Sequence, residues 1–172
     1  MSNGKKLHEA LKELSWIVGK WKSICGEVKY PTMKKPVQFL EDLEFIYEGQ
    51  PLLSYKSVTR HPETNNLLHL ERGFLRVDED KCTLAFVTGM NFGIATLEEG
   101  YVKDKSIVLS SACIGIMKFA KQTVLGIQRC YRLNENGELE YTLCMETGNT
   151  PLTKHVDALY EKADEDKCQT KC

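Results

Sequence analysis

Asn134-Glu-Asn-Gly137-Glu-Leu-Glu-Tyr-Thr-Leu-Cys-Met145 decides the fold class. Asn and Gly tolerate positive φ, so the first four residues read as a hairpin turn. After the turn, Leu139, Tyr141, Leu143 and Met145 alternate with Glu138, Glu140, Thr142 and Cys144. A period of two places one set on each face of a β-strand. Working outward, Phe39, Leu43, Phe45 and Tyr47 share a parity, and Glu41 falls on the same side. Leu52, Leu53 and Tyr55 open a strand after the Glu48-Gly-Gln-Pro51 turn. His61-Pro-Glu-Thr-Asn-Asn66 is a polar loop, and Asp78-Glu-Asp-Lys81 and Asp104-Lys105 turn the chain again.

This pattern gives about ten strands, each bounded by Gly, Pro, Asp or Asn. Many short antiparallel strands predict a sandwich or a closed barrel, and closure removes the unpaired edges. A barrel of that size leaves room for a small ligand. Ahead of it, Leu7, Ala10, Leu11 and Leu14 recur at helical spacing. They predict a short helix over residues 5–15, too short to stand alone and so packed on the barrel end. The fold class is all-β: an antiparallel barrel domain over 1–162, then a charged, disordered tail over 163–172.

Composition narrows the function. The 172 residues suit one domain, and net charge is −1, which argues against a nucleic-acid partner. No apolar run is long enough to span a membrane, and Glu9, Lys12 and Glu13 interrupt any secretory signal core. Seven cysteines without a signal predict reduced thiols and a cytoplasmic location. Cys168 and Cys172 lie in the polar tail with no histidine nearby, and read as tail rather than zinc ligands.

Thr150-Pro-Leu-Thr-Lys-His155-Val-Asp-Ala-Leu-Tyr160 is the stretch where function is expected. It places one imidazole among small and apolar residues just after a proline turn. Taken alone, such a histidine is more often a hydrogen-bonded structural residue than a ligand. Gly19-Lys-Trp21 opens the first strand, with an indole fit to plug one barrel end or simply to fill core. Tyr30-Pro-Thr32 ends that strand and turns Thr32 toward the mouth. His69-Leu-Glu71-Arg72-Gly73-Phe74-Leu-Arg76 mixes charge with apolar residues. A Glu71–Arg76 pair inside the barrel would need hydrogen bonds to be tolerated; otherwise the charges lie on the solvent face. No metalloprotease, phosphate-loop or serine-nucleophile motif is present, so any catalysis should be carried by a cofactor.

Together, Leu14-Ser-Trp16-Ile-Val-Gly19-Lys-Trp21, Tyr30-Pro-Thr32, the His69–Arg76 stretch, Phe119-Ala-Lys121, Gly137-Glu-Leu139-Glu140-Tyr-Thr and Pro151-Leu-Thr-Lys-His155-Val-Asp-Ala resemble the nitrobindin family. These are heme-binding barrels also found as the C-terminal domain of a THAP zinc-finger protein, whose finger is missing here. The resemblance runs from about residue 7 to 162. It implies a ten-stranded barrel akin to fatty-acid-binding proteins, holding one heme b. It further implies His155 as the axial iron ligand, Thr32 in contact with heme and His69 on the distal side. It implies ferric iron that binds nitric oxide and isomerises peroxynitrite to nitrate. The alternative is a non-catalytic carrier of a fatty acid or another small hydrophobic ligand. Thr153 and Asp157 share strand parity with His155 and are candidates to orient its ring. The chain departs from the family's Gly-x-Trp-x-Gly-x-Gly: Ser23 and Cys25 stand where glycines are usual, and one residue is added before Tyr30. Leu68 also replaces a common Met.

Overall fold

The computed structural model describes residues 6–163. The expected tail, Ala163 apart, lies outside the described residues. The strands are β1 (Gly19–Val28), β2 (Val37–Gln38), β3 (Leu40–Tyr47), β4 (Leu52–Arg60), β5 (Leu67–Val77) and β6 (Thr83–Met90). They continue as β7 (Ile94–Lys103), β8 (Ser106–Ile116), β9 (Val124–Leu133), β10 (Leu139–Thr147) and β11 (Thr150–Lys162). From β3 onward each strand pairs antiparallel with the next, and β1 joins β3 to β11, closing a ten-stranded barrel. The two-residue β2 pairs only with the end of β1. Closure removes the two edge strands of an open sheet, while β8 and β9 part beyond Ser110, where their ladder ends.

The predicted turn forms as expected. Asn134 Oδ1 accepts from the backbone N–H groups of Asn136 and Glu138, both at 3.0 Å, and Gly137 takes φ of 79°. The predicted helix is a 3₁₀ turn over Glu9–Leu14, shorter than expected. Leu11, Leu14 and Ile17 are fully buried at a spacing of three, the repeat at which 3₁₀ side chains eclipse. Trp21 closes this end as expected: its Nε1 donates to the Ile17 carbonyl at 2.8 Å.

β1 absorbs the added residue as a bulge. Its register with β11 slips between Ser23 and Cys25, leaving Ile24 unpaired and exposed. Gly26 then faces Phe39, whose ring fills the space where a side chain would stand, 2.4 Å from an ideal Cβ.

The interior is layered. The closed end is apolar, with Leu53, Leu75, Leu84 and Ile107 all buried. Above it lie Tyr55 and Tyr131, then a polar layer that corrects the expected Glu71–Arg76 pair. Arg76 is exposed, whereas Glu71 pairs with Arg129 from β9 at 2.9 Å. Arg129 also binds Glu98 from β7 at 2.8 Å. Parity explains the correction. Inward positions of β5 are 69, 71, 73 and 75, so Arg72 and Arg76 point outward.

Candidate functional site

The open end is built around an irregularity in β11. Against β10, Val156 pairs with Leu143 and Lys154 with Cys144, so His155 has no partner. This bulge turns the imidazole inward, where the residue is 2% exposed. It also reverses strand parity: Ala158 and Tyr160 are buried beyond it, instead of Asp157. The freed His155 carbonyl accepts from Lys29 N–H at 2.8 Å, tying the Tyr30–Thr32 turn to the site.

His155 Nδ1 lies 2.6 Å from the Thr153 carbonyl oxygen. A carbonyl can only accept, so Nδ1 carries the proton and Nε2 keeps its lone pair. Thr153 therefore orients the ring as expected, but through its backbone; its hydroxyl donates to the Pro151 carbonyl at 2.7 Å. Asp157 does not orient it. Past the bulge its carboxylate takes the Thr142 hydroxyl at 3.1 Å and the Lys154 ammonium. Tyr30 meets the imidazole edge-on with ring centroids 4.6 Å apart.

Two adjoining cavities occupy this end. One, about 300 Å³, is lined by Thr32, Thr123, Thr147, Asn149, Thr150 and His155 together with Tyr30, Lys121 and Gln122. The other, about 410 Å³, shares Tyr30, Lys121 and Gln122 and adds Asn91, Phe92, Ile94 and Phe119. The first is polar and the second largely apolar. Thr32 and His155 thus line one cavity. His69 lies by the other, its ring stacked on Phe92 at 4.8 Å and 15°. Asn91 fixes that turn, its N–H donating to the Leu70 carbonyl and its Oδ1 accepting from Leu70 N–H. Burial holds the His69 pKa below the usual imidazole value. Its Nε2 is buried without a hydrogen-bond partner among the described residues. An unpaired buried nitrogen costs free energy unless something occupies the space it faces.

The connection between β8 and β9 covers both cavities. Met117 N–H donates to the Gly93 carbonyl at 2.8 Å, and the Phe119 ring rests on Gly93, which takes φ of 80°. Sequence reading gave no role to Phe92, Gln122 or Lys121, although Lys121 stood in a quoted motif. Among the described residues Lys121 is the one lysine or arginine lining either cavity.

The residues present fit a heme. One imidazole offers a free Nε2 and is locked by its other nitrogen, as a ligating histidine requires. Apolar rings line the neighbouring space, and His69, stacked behind one of them, has a buried Nε2 without a partner among the described residues.

Comparison with known proteins supports the same reading. Residues 10–162 match the family model described as the THAP4-like, heme-binding β-barrel domain. This chain belongs to that family. Among its relatives, "Peroxynitrite isomerase THAP4" of Rattus norvegicus is 38% identical over 159 residues, covering 91% of this chain and 28% of the relative. The chain thus spans less than a third of the length of those mammalian relatives. "Peroxynitrite isomerase 2" of Mycobacterium bovis is 32% identical, covering 92% of this chain and 98% of that one. The crystal structure of Rv2717c from M. tuberculosis superposes with a TM-score of 0.82 at 32% identity, covering 92% of this chain and all of that one.

Proposed function

We propose that this barrel binds one heme b through His155 and isomerises peroxynitrite to nitrate, with nitric oxide as a second ligand. The observation that carries the proposal is the His155 bulge, which aims a tautomerically fixed imidazole into a cavity at the barrel's open end. When bound, the heme supplies the iron position at which the anion rearranges. The protein's part is small, since isomerisation needs no net proton transfer. His155 Nε2 would hold the group, with Thr32 and Phe92 available from the linings of the two adjoining cavities. His69 Nε2, neutral and already desolvated, is available to hydrogen-bond a ligand. Lys121 offers a positive charge to an incoming anion or to a porphyrin carboxylate.

The lipid-carrier reading meets a physical obstacle. A fatty-acid carboxylate deep inside the barrel needs a cation there, since Lys121 lines only the cavities at the open end, and Arg129 is the one fully buried cation among the described residues. Both faces of its guanidinium edge are already taken by Glu71 and Glu98. Near-zero net charge supports no nucleic-acid partner. Among the described residues no helix is long and apolar enough to cross a membrane. The five described cysteines are unpaired, which suits a reducing, cytoplasmic setting.

Titration with ferric heme tests the proposal. The expected result is a saturable Soret band of one heme per chain, lost in His155→Ala. A wild-type protein that takes up no heme, or a His155→Ala variant that binds it unchanged, would overturn the proposal.

A further inference from the structure

The barrel interior carries a charge that ligation by His155 does not require. One inward position below His69 on β5 is Glu71. Its carboxylate receives Arg129 Nη1 at 3.1 Å and Nη2 at 2.9 Å, the Tyr55 hydroxyl at 2.8 Å and the Thr88 hydroxyl at 3.1 Å. Glu98 receives Arg129 Nε at 2.8 Å and Nη2 at 2.9 Å, and the Thr96 hydroxyl at 2.7 Å. Both carboxylates are thus surrounded by donors, and the three charged residues are 1–3% exposed. Two carboxylates share one guanidinium, so the cluster has a net charge of −1. Glu41, the other buried carboxyl nearby, brings no compensating cation.

A buried ionic triad is costly to assemble, and apolar side chains of similar volume often do as well for stability. Its position suggests another use. It begins one inward position below His69, whose ring stacks on Phe92 of the second cavity's lining, and it lies in a low-dielectric interior where salt screens little. The core of a ferric heme carries one more positive charge than that of a ferrous heme. A fixed negative charge below it therefore favours the oxidised form.

We propose that the Glu71–Arg129–Glu98 triad holds a heme bound at His155 in the ferric state. This rests on the heme-binding function proposed above. The triad acts through space, as a positioning device for charge, and touches no reacting atom.

The test is a potentiometric titration of the heme-loaded protein, following the Soret band, with wild type, Glu98→Gln and Glu98→Asp. Glu98→Gln neutralises the cluster. Its ferrous-to-ferric ratio at fixed applied potential should rise by about tenfold, the order of magnitude expected for removing one unit charge from a nearby low-dielectric interior. Glu98→Asp keeps the charge and should titrate near wild type, whereas a merely structural role would shift both. If Glu98→Gln is too unstable to load, Glu71→Gln removes the same charge and carries the same expectation. A Gln variant that loads fully and titrates at the wild-type potential overturns the proposal. So does an Asp variant that shifts as far as the Gln one. Absence of any Soret band in wild type would instead overturn the heme reading itself.

Discussion

Glu41→Gln should make the protein more stable at neutral pH and leave it unchanged in mild acid. Glu41 lies inside the barrel at 8% exposure, taking hydrogen bonds from Ser57 and, at 2.6 Å, from Tyr160. Burial raises its pKa from 4.5 to about 7, assisted by the Glu71 charge and opposed by those hydroxyls and by Arg129. Between those two values the native state holds a proton that the unfolded chain has released. Stability therefore falls as pH rises through that window, and above it the native carboxylate stays desolvated. At 1.36 kcal/mol per unit, the accumulated penalty is about 3 kcal/mol. Gln offers an acceptor and a donor to the same two hydroxyls and has no charge to bury. Glu71 does not confuse the result. Arg129 overcomes the cost of its burial and lowers its pKa to about 2, so its slope falls below pH 4.5 and has the opposite sign. Urea denaturation of both proteins from pH 4.5 to 8 measures the difference. It should grow from near zero to about 3 kcal/mol in favour of Glu41→Gln. A difference that stays flat across the range refutes the reasoning.

Three further outcomes follow from the geometry. Asp157→Asn should leave heme affinity within about twofold of wild type, because the bulge turns Asp157 away from His155; a loss of 10–100-fold, the usual effect of removing a group that orients a metal-binding histidine, would contradict the tautomer assignment. Lys121→Met should weaken binding of ferric protoporphyrin but not of its dimethyl ester, read by Soret titration; equal losses for both would remove any charge role for Lys121. Arg129→Met should destabilise the fold by about 3–5 kcal/mol, because it leaves two buried carboxylates facing each other without a cation; denaturation midpoints at pH 7 would show it, and a loss under about 1 kcal/mol would mean that the two carboxyls are not held apart by the guanidinium.

Much of the fold was legible because strand alternation reports burial directly. Leu139, Tyr141 and Leu143 face inward as their parity required. So does Glu41, which shares the parity of Phe39, Leu43 and Phe45. The partner of Glu71 was not legible. Arg129 stands 58 residues away, four strands along the barrel, and no local pattern names a pairing made across the interior. Arg76 looked plausible only because it is close in sequence, and alternation itself excludes it, since 71 and 76 have opposite parity.

The site was harder to read than the fold for a related reason. Along regular strands the inward side chains meet and fill the barrel, leaving no space for a ligand. Room remains where regularity fails, at the end bordered by the His155 bulge, the Tyr30–Thr32 turn and the β8–β9 connection. A period-two reading carried across residue 155 puts Asp157 beside the imidazole; one unpaired residue sends it outward instead. The bulge is legible only through its consequence, a switch from odd to even buried positions between His155 and Ala158. In sequence that switch shows as Ala158 and Tyr160 being better core residues than Asp157 and Leu159 on size and polarity taken together. The signal is weak, because Leu159 is itself apolar. Pairing with β10 resolves it: Val156, not His155, takes the place opposite Leu143, and the imidazole is left free to face the cavity.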